Sequence, residues 1–308
     1  MTRAVVFAYH DVGVRCLRVL LAHGVDVSLV VSHEDQAGEL IWFDSVAKHA
    51  RWHGLPLILP PAPNTAAVID QVRAARPDFL FSFYYRHLLG AELLQAPLRG
   101  AYNMHGSLLP KYRGRVPVNW AVLHGETETG ATLHAMTTQA DAGGIVGRQA
   151  VPVLPDDTAV EAFRKVTVAA ELLLDRCLPG LLAGTVLLEA QDLTQGSYFG
   201  RRTARDGAID WQLGFRAVHN LVRAVAPPYP GAYAMAGPHR LRVLRTLPLA
   251  GPGATRPVLC WRDDAVLALC HDGALKVLEM ELGGQSMDAA RFLARFGTDA
   301  LPLGNGAA

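Results

Sequence analysis

Five short apolar segments, separated by amphipathic stretches, fill the first third of the chain, and this alternation restricts it to a layered α/β fold. Residues 4–8, 25–31, 56–59, 78–83 and 100–105 read as strands. Between them, residues 11–23, 43–53 and 65–75 carry apolar side chains at helical spacing, with Val14, Leu17, Leu20 and Leu21 on one face of the first. Strands alternating with helices predict a parallel, doubly wound, Rossmann-like sheet. Residues 158–182 repeat the helical spacing. Past a linker the texture changes to short strands at 232–235, 241–246, 258–261, 265–270 and 274–282. A helix over 215–226 and a Pro-rich turn over 226–231 precede them; a helix over 287–296 and a frayed tail over 305–308 follow. Closely spaced short strands predict a small β-barrel. A chain of 308 residues suits two domains. The expected division is 1–190, a linker over 191–207, and 208–308.

Composition narrows the function. Half of the residues are apolar and the formal net charge is +1, with no charge block at either end. Nucleic-acid binding domains usually show a clustered basic face, so no nucleic-acid partner is expected. Cys16, Cys177, Cys260 and Cys270 form no Cys-x-x-Cys pair, so no metal or redox motif is expected. The first turn, 8–13, holds a single glycine, Gly13, where the dinucleotide fingerprint needs three, and no Gly-Lys-Ser/Thr phosphate loop occurs. No charged segment precedes a long apolar run at the start, and no apolar run is long enough to span a bilayer. The expectation is a soluble cytoplasmic protein without a membrane partner.

The chemistry collects in Asn103-Met-His105-Gly-Ser-Leu-Leu-Pro110-Lys-Tyr-Arg-Gly114-Arg115, with Asp141-Ala-Gly-Gly144 downstream. Asn103 and His105 are two apart, so at the end of a strand they face one side. In open α/β sheets ligands gather at the carboxyl ends of strands. An amide can donate to a developing oxyanion, an imidazole can move a proton near neutral pH, and a carboxylate beside it favours the protonated ring. Taken singly, each has a plainer reading: Asn103 a turn former, His105 a satisfied polar residue, Asp141 part of a loop.

The run Asn-x-His-x-Ser-Leu-Leu-Pro-x-Tyr-Arg-Gly, with the later Asp-Ala-Gly, resembles the formyltransferases that use 10-formyltetrahydrofolate. The likeness extends from Ala4 to about Leu282 and includes the segments 81–89, 125–130, 199–203 and 220–226. It is greatest to the branch that formylates UDP-4-amino-4-deoxy-L-arabinose, in lipid A modification and polymyxin resistance. The resemblance implies a formyltransferase domain followed by an oligonucleotide/oligosaccharide-binding-like (OB-like) barrel. It implies formyl transfer to the amine of a nucleotide-linked sugar, with Asn103, His105 and Asp141 as the catalytic trio. It also implies a folate slot built from His87, Leu88 and Leu89 and from the loop Thr137, Thr138, Gln139, Ala140 and Asp141. Periodicity alone also allows Leu88 and Leu89 to be a helix start packed into the core.

Arg115 stands where methionyl-tRNA formyltransferases usually carry a small apolar residue. A planar guanidinium there suits a diphosphate or the carboxylates of folate. Arg201 and Arg202 read equally as phosphate ligands or as a solvated linker. Phe43 stands where the aminosugar branch has a tyrosine, so any acceptor contact made by that hydroxyl is absent here. The alternative activity is methionyl-tRNA formylation; the acidic 32–39 loop has the wrong sign for a phosphate backbone. A folate-binding module without transfer activity has no use for a proton shuttle.

Overall fold

A computed structural model describes residues 1–35, 38–251 and 253–306. The chain divides into two compact units. The first comprises residues 1–117, 128–152 and 163–200; the second comprises 118–127, 153–162 and 201–308.

In the first unit the expected alternation is present. The chain runs β1 (Arg3–Ala8), α1 (His10–Ala22), β2 (Asp26–Val31), α2 (Val46–Trp52), β3 (Leu57–Ile58), α3 (Ala66–Ala74), β4 (Phe79–Phe83), α4 (Ala91–Leu94) and β5 (Gly100–His105). These five strands pair in parallel in the order β3-β2-β1-β4-β5. Every residue of β4 is buried, as parallel strands covered on both faces require. The expected helix over 43–53 starts later, at Val46. Ser45 caps it by accepting from the Lys48 N–H, which leaves Trp42 and Phe43 in the preceding loop. Thr65 caps α3 in the same way through the Val68 N–H.

The sheet does not stop at β5. After β6 (Arg113–Gly114) and α5 (Pro117–Leu123), β7 (Glu128–Ala135) and β8 (Ile145–Pro152) extend it antiparallel, in the order β5-β7-β8. The sheet is thus parallel-rich, with an antiparallel edge that the sequence reading did not assign. Its register sets Asn103 opposite His134 and His105 opposite Thr132. Gly130 lets β7 approach closely, since a Cβ there would lie 2.2 Å from the Gln149 carbonyl oxygen. The long helix α6 (Ala159–Ala183) follows, and β9 (Tyr198–Phe199) pairs in parallel with β6.

In the second unit α7 (Phe215–Ala224) precedes a closed antiparallel barrel. Its strands are β10 (Ala232–Ala236), β11 (His239–Leu249), β12 (Val258–Arg262), β13 (Ala265–Cys270), β14 (Gly273–Leu282) and, after the short β15 (Gln285–Met287) and α8 (Ala289–Phe296), β16 (Leu301–Gly304). Pairing of β16 with β10 and β12, and of β11 with β14, closes six strands into a ring. Trp211, Phe215, Leu241, Val243 and Phe292 fill its core. The tail does not fray at its start. Asn305 accepts from the Trp211 N–H at 3.1 Å, and the Gly306 N–H donates to the Ile209 carbonyl at 2.9 Å. Residues 307 and 308 lie outside the described residues. Among the described residues no helix is long and apolar enough to cross a membrane, and no cluster of three His, Cys, Asp or Glu side chains is arranged to hold a metal.

Leu80, with no solvent exposure in β4, is expected to cost about 2–5 kcal/mol as Leu80→Ala. Leu98, 83% exposed, should change stability by less than about 0.5 kcal/mol as Leu98→Ala. Denaturant titration of the two variants checks both.

Candidate active site

Two histidines on facing strands of the first unit converge on one carboxylate, and an asparagine bonds one of them. Asn103 and His105 project from the end of β5, His134 from the facing position on β7, and Asp141 from the turn after β7. Oδ1 of Asp141 lies 3.5 Å from Nδ1 of His105 and 3.5 Å from Nε2 of His134. Its Oδ2 accepts from the Gly114 N–H at 2.9 Å. Asp141 has a left-handed backbone (φ 53), and the Gln191 side-chain amide donates to the carbonyls of Asp141 and Gly143 at 3.1 and 2.6 Å. Two glycines permit this clasp. Gly114 has φ 95, and a Cβ on it would meet the Phe199 carbonyl oxygen at 2.2 Å. A Cβ on Gly143 would lie 1.9 Å from the Ala135 carbonyl oxygen.

The Asp141 side chain is only 14% exposed. Burial acts to raise its carboxyl pKa. The charge of His105, a hydrogen bond from His134 and the Gly114 N–H together outweigh burial and hold it well below the usual carboxylate range.

Each neighbour is fixed in turn. Nε2 of His105 donates to the Tyr112 carbonyl at 2.8 Å, so in the neutral ring Nδ1 is the basic nitrogen. Nδ1 of His134 donates to the Ala135 carbonyl at 2.8 Å. Its Nε2 then accepts from the Asn103 amide at 3.1 Å when the ring is neutral, and donates toward Asp141 when a second proton is present. One Nδ2–H of Asn103 remains to face a ligand. Thr132 ties down the loop that follows β5: its hydroxyl donates to the Ser107 carbonyl at 2.6 Å and accepts from the Leu109 N–H at 3.1 Å.

The sequence reading named Asn103, His105 and Asp141, and the fold brings all three together. It missed His134 and Thr132, because β7 was not assigned. The signal was a histidine and threonines in a buried eight-residue run, 128–135. Among the folate candidates, Leu88 is 70% exposed and Leu89 packs against the core, so a shared packed helix start is excluded for Leu88. His87 is exposed, and Asn64 secures this turn by bonding the Leu88 carbonyl and the Gly90 N–H at 2.9 and 2.7 Å. Thr137, Thr138 and Gln139 are exposed, and Ala140 is half-buried. Arg115 is exposed and reaches the Arg86 carbonyl at 3.5 Å. Arg201 and Arg202 belong to the second unit. Arg202 stands 4.8 Å over the Trp120 ring and donates to the Asp206 carbonyl at 2.9 Å, while Arg201 is exposed. The acidic 32–39 loop carries less free charge than its composition suggests. Asp35 accepts from the Tyr9 hydroxyl at 2.8 Å and Glu39 pairs with Arg86; Gln36 and Ala37 lie outside the described residues.

A formyl transferase family pattern matches residues 18–177, and the pattern of the formyl transferase C-terminal domain matches residues 202–297. The chain belongs to the formyltransferase family. Its fold is that of the N-formyltransferase from Helicobacter canadensis, solved with folinic acid and dTDP-3-aminofucose. There the TM-score is 0.69 at 18% identity, over 93% of this chain and 100% of that one. A sugar N-formyltransferase from a Shewanella species matches with a TM-score of 0.61 at 17% identity, over 76% of this chain and 92% of that one. HypX from Aquifex aeolicus, in complex with tetrahydrofolic acid, matches at 0.63 and 18% identity, over 95% of this chain and 47% of HypX.

The lowered pKa of Asp141 predicts an acid-labile contribution to stability. Because the folded value lies below the unfolded value of about 3.9, the contribution is full above about pH 5 and is lost as pH falls through the folded value. Denaturation of wild type and Asp141→Asn should therefore differ most near neutrality and converge toward about pH 2. A gap that widens on acidification contradicts this assignment.

Proposed function

We propose that the chain transfers a formyl group from 10-formyltetrahydrofolate to the amine of a nucleotide-linked amino sugar. The observation that carries the reading is the convergence of His105 and His134 on the buried Asp141 carboxylate, with Asn103 bonded to His134. Within the family this is a setting for acyl transfer rather than for binding alone.

The folate supplies the formyl carbon. Its slot is assigned to His87, Leu88 and Leu89 and to Thr137, Thr138, Gln139, Ala140 and Asp141. The exposed Leu88 side chain and the adjoining backbone groups fit a flat apolar ring with a polar edge. When the amine attacks, negative charge develops on the formyl oxygen and positive charge on the nitrogen. The free Nδ2–H of Asn103 donates to that oxygen. Nδ1 of His105 takes the amine proton while Nε2 stays bound to the Tyr112 carbonyl. The imidazolium so formed pairs with Asp141, held ionised by its lowered pKa, and returns the proton to N10 of the folate as the bond from N10 to the formyl carbon breaks, the formamide forms and tetrahydrofolate leaves. His134 keeps the Asn103 amide turned toward the reacting carbonyl.

For the acceptor, the segment Gly114-Arg115-Val-Pro117 supports UDP-4-amino-4-deoxy-L-arabinose, and with it lipid A modification and polymyxin resistance. Arg115 is assigned to the diphosphate of this acceptor or to the folate carboxylates. Arg201 and Arg202 are assigned to substrate phosphate; Arg202 also stacks on Trp120 and donates to the Asp206 carbonyl within its own unit. The domain boundaries 1–190, 191–207 and 208–308 and a cytoplasmic location complete the reading.

Asn103→Ala should lower kcat by about 10²–10³ with unchanged folding. His105→Ala and Asp141→Ala should each be severely impaired, and the double variant little worse than either, because groups acting as one unit are non-additive. Incubation with 10-formyltetrahydrofolate and UDP- or dTDP-linked amino sugars should add one formyl mass. Formylation of methionyl-tRNA, with no nucleotide sugar turned over, contradicts the acceptor assignment.

A further inference from the structure

The sequence motif does not account for His10, the first residue of α1, just past the carboxyl end of β1. It holds a left-handed backbone, φ 66, which a β-carbon makes costly. Such strain persists only where the surroundings over-determine it, and it clusters at ligand sites. The ring is boxed by aromatic neighbours. Phe43 stacks on it at 3.9 Å, and Trp42 and Phe163 meet it edge-on, each at 4.7 Å. Nδ1 accepts the Asp11 N–H at 2.9 Å. Burial first, then the positive charge of Arg86, push its pKa down to about 3. At neutral pH the ring is therefore uncharged, with Nδ1 filled and its hydrogen on Nε2. The side chain is 14% exposed.

Tyr84 links the box to the catalytic loop. Tyr84, also left-handed at φ 57, lies 6.5 Å from the His10 ring. Its hydroxyl sits where a Cβ on Gly106 would be, 1.8 Å away, so the bare Gly106 next to His105 admits it. The folate segments follow β4 and β7 and flank β5, whereas His10 follows β1 on the far side of β4. Arg115 reaches the carbonyl of Arg86, whose guanidinium covers the Tyr9 ring at 4.4 Å. The candidate acceptor arginine therefore meets the segment after β4, whose Arg86 charge reaches His10. In open α/β sheets a ligand lies across the carboxyl ends of adjacent strands.

We propose that His10 is a specificity-determining residue that donates from Nε2 to an oxygen atom of the acceptor nucleotide sugar. The inference rests on the nucleotide-sugar reading of the site. It differs from a purely structural role, in which His10 only caps α1 through Nδ1.

Two substitutions separate the roles. Asparagine places an amide oxygen where Nδ1 stands and tolerates the left-handed backbone, but has no donor at the Nε2 position. Glutamine extends an amide to the Nε2 position and forfeits the cap. His10→Asn should fold with a lower melting temperature, from the lost ring contacts, and raise the acceptor KM about tenfold, with kcat and the KM of the formyl donor changed less than about twofold. His10→Gln should melt lower yet recover most of the acceptor KM. Steady-state kinetics with each nucleotide sugar, with thermal melts of all three proteins, decide it. A wild-type acceptor KM in His10→Asn, with wild-type turnover intact, overturns the His10 role alone. Absence of turnover of every nucleotide sugar by the wild type overturns the reading of the site, and this inference with it.

Discussion

The buried Asp141 carboxylate is the constraint on which the first unit's site depends. A charge withdrawn from water is costly unless it is paired and hydrogen-bonded. Asp141 meets that cost with one backbone N–H from Gly114 and two imidazoles, His105 and His134. Each partner comes from a different part of the chain, so satisfying one anion fixes the end of β5, the β6 segment and the end of β7 relative to one another. The glycines follow from the same demand. Gly114 can turn its N–H to the carboxylate only by running against the Phe199 carbonyl, and Gly143 can close the turn only against the Ala135 carbonyl. A side chain at either place would move the anion away from the histidines.

Much of this was legible in the chain and some of it was not, for physical reasons. The central strands are continuous apolar runs, and their buried character needs no tertiary information. The spacing of Asn103 and His105 announces a shared face because strand periodicity is two. His134 is different. It meets Asn103 across 31 positions, and only the antiparallel register of β5 and β7 puts them opposite each other. That register follows from a reversal of strand direction after α5, which local patterning does not reveal. The barrel strands were visible, but the one that closes the ring, β16, was not. Its Leu-Pro-Leu-Gly sequence reads as a turn, and its pairing with β10 and β12 carries it. The acidic 32–39 loop shows the opposite failure. Composition counted its charges, yet Asp35 and Glu39 are largely spent on Tyr9 and Arg86.

On the other side of β4 the aromatic residues Phe43, Trp42, Phe163 and Tyr84 surround His10, and burial together with the nearby Arg86 charge keeps its ring neutral. A neutral imidazole there can select a ligand oxygen by direction rather than by attraction. On the proposed reading, catalytic and acceptor functions draw on different physics within one sheet: a paired anion would order the proton transfer, and a desolvated neutral donor would orient the substrate.

The most direct measurement is a crystal structure with 5-formyltetrahydrofolate, the non-transferring isomer of the donor. The account predicts the pterin between the 87–89 and 137–141 segments, with the formyl oxygen within about 3 Å of the Asn103 amide and the formyl carbon on the side of His105. A folate bound elsewhere, or bound with its formyl group turned away from Asn103 and His105, would contradict it.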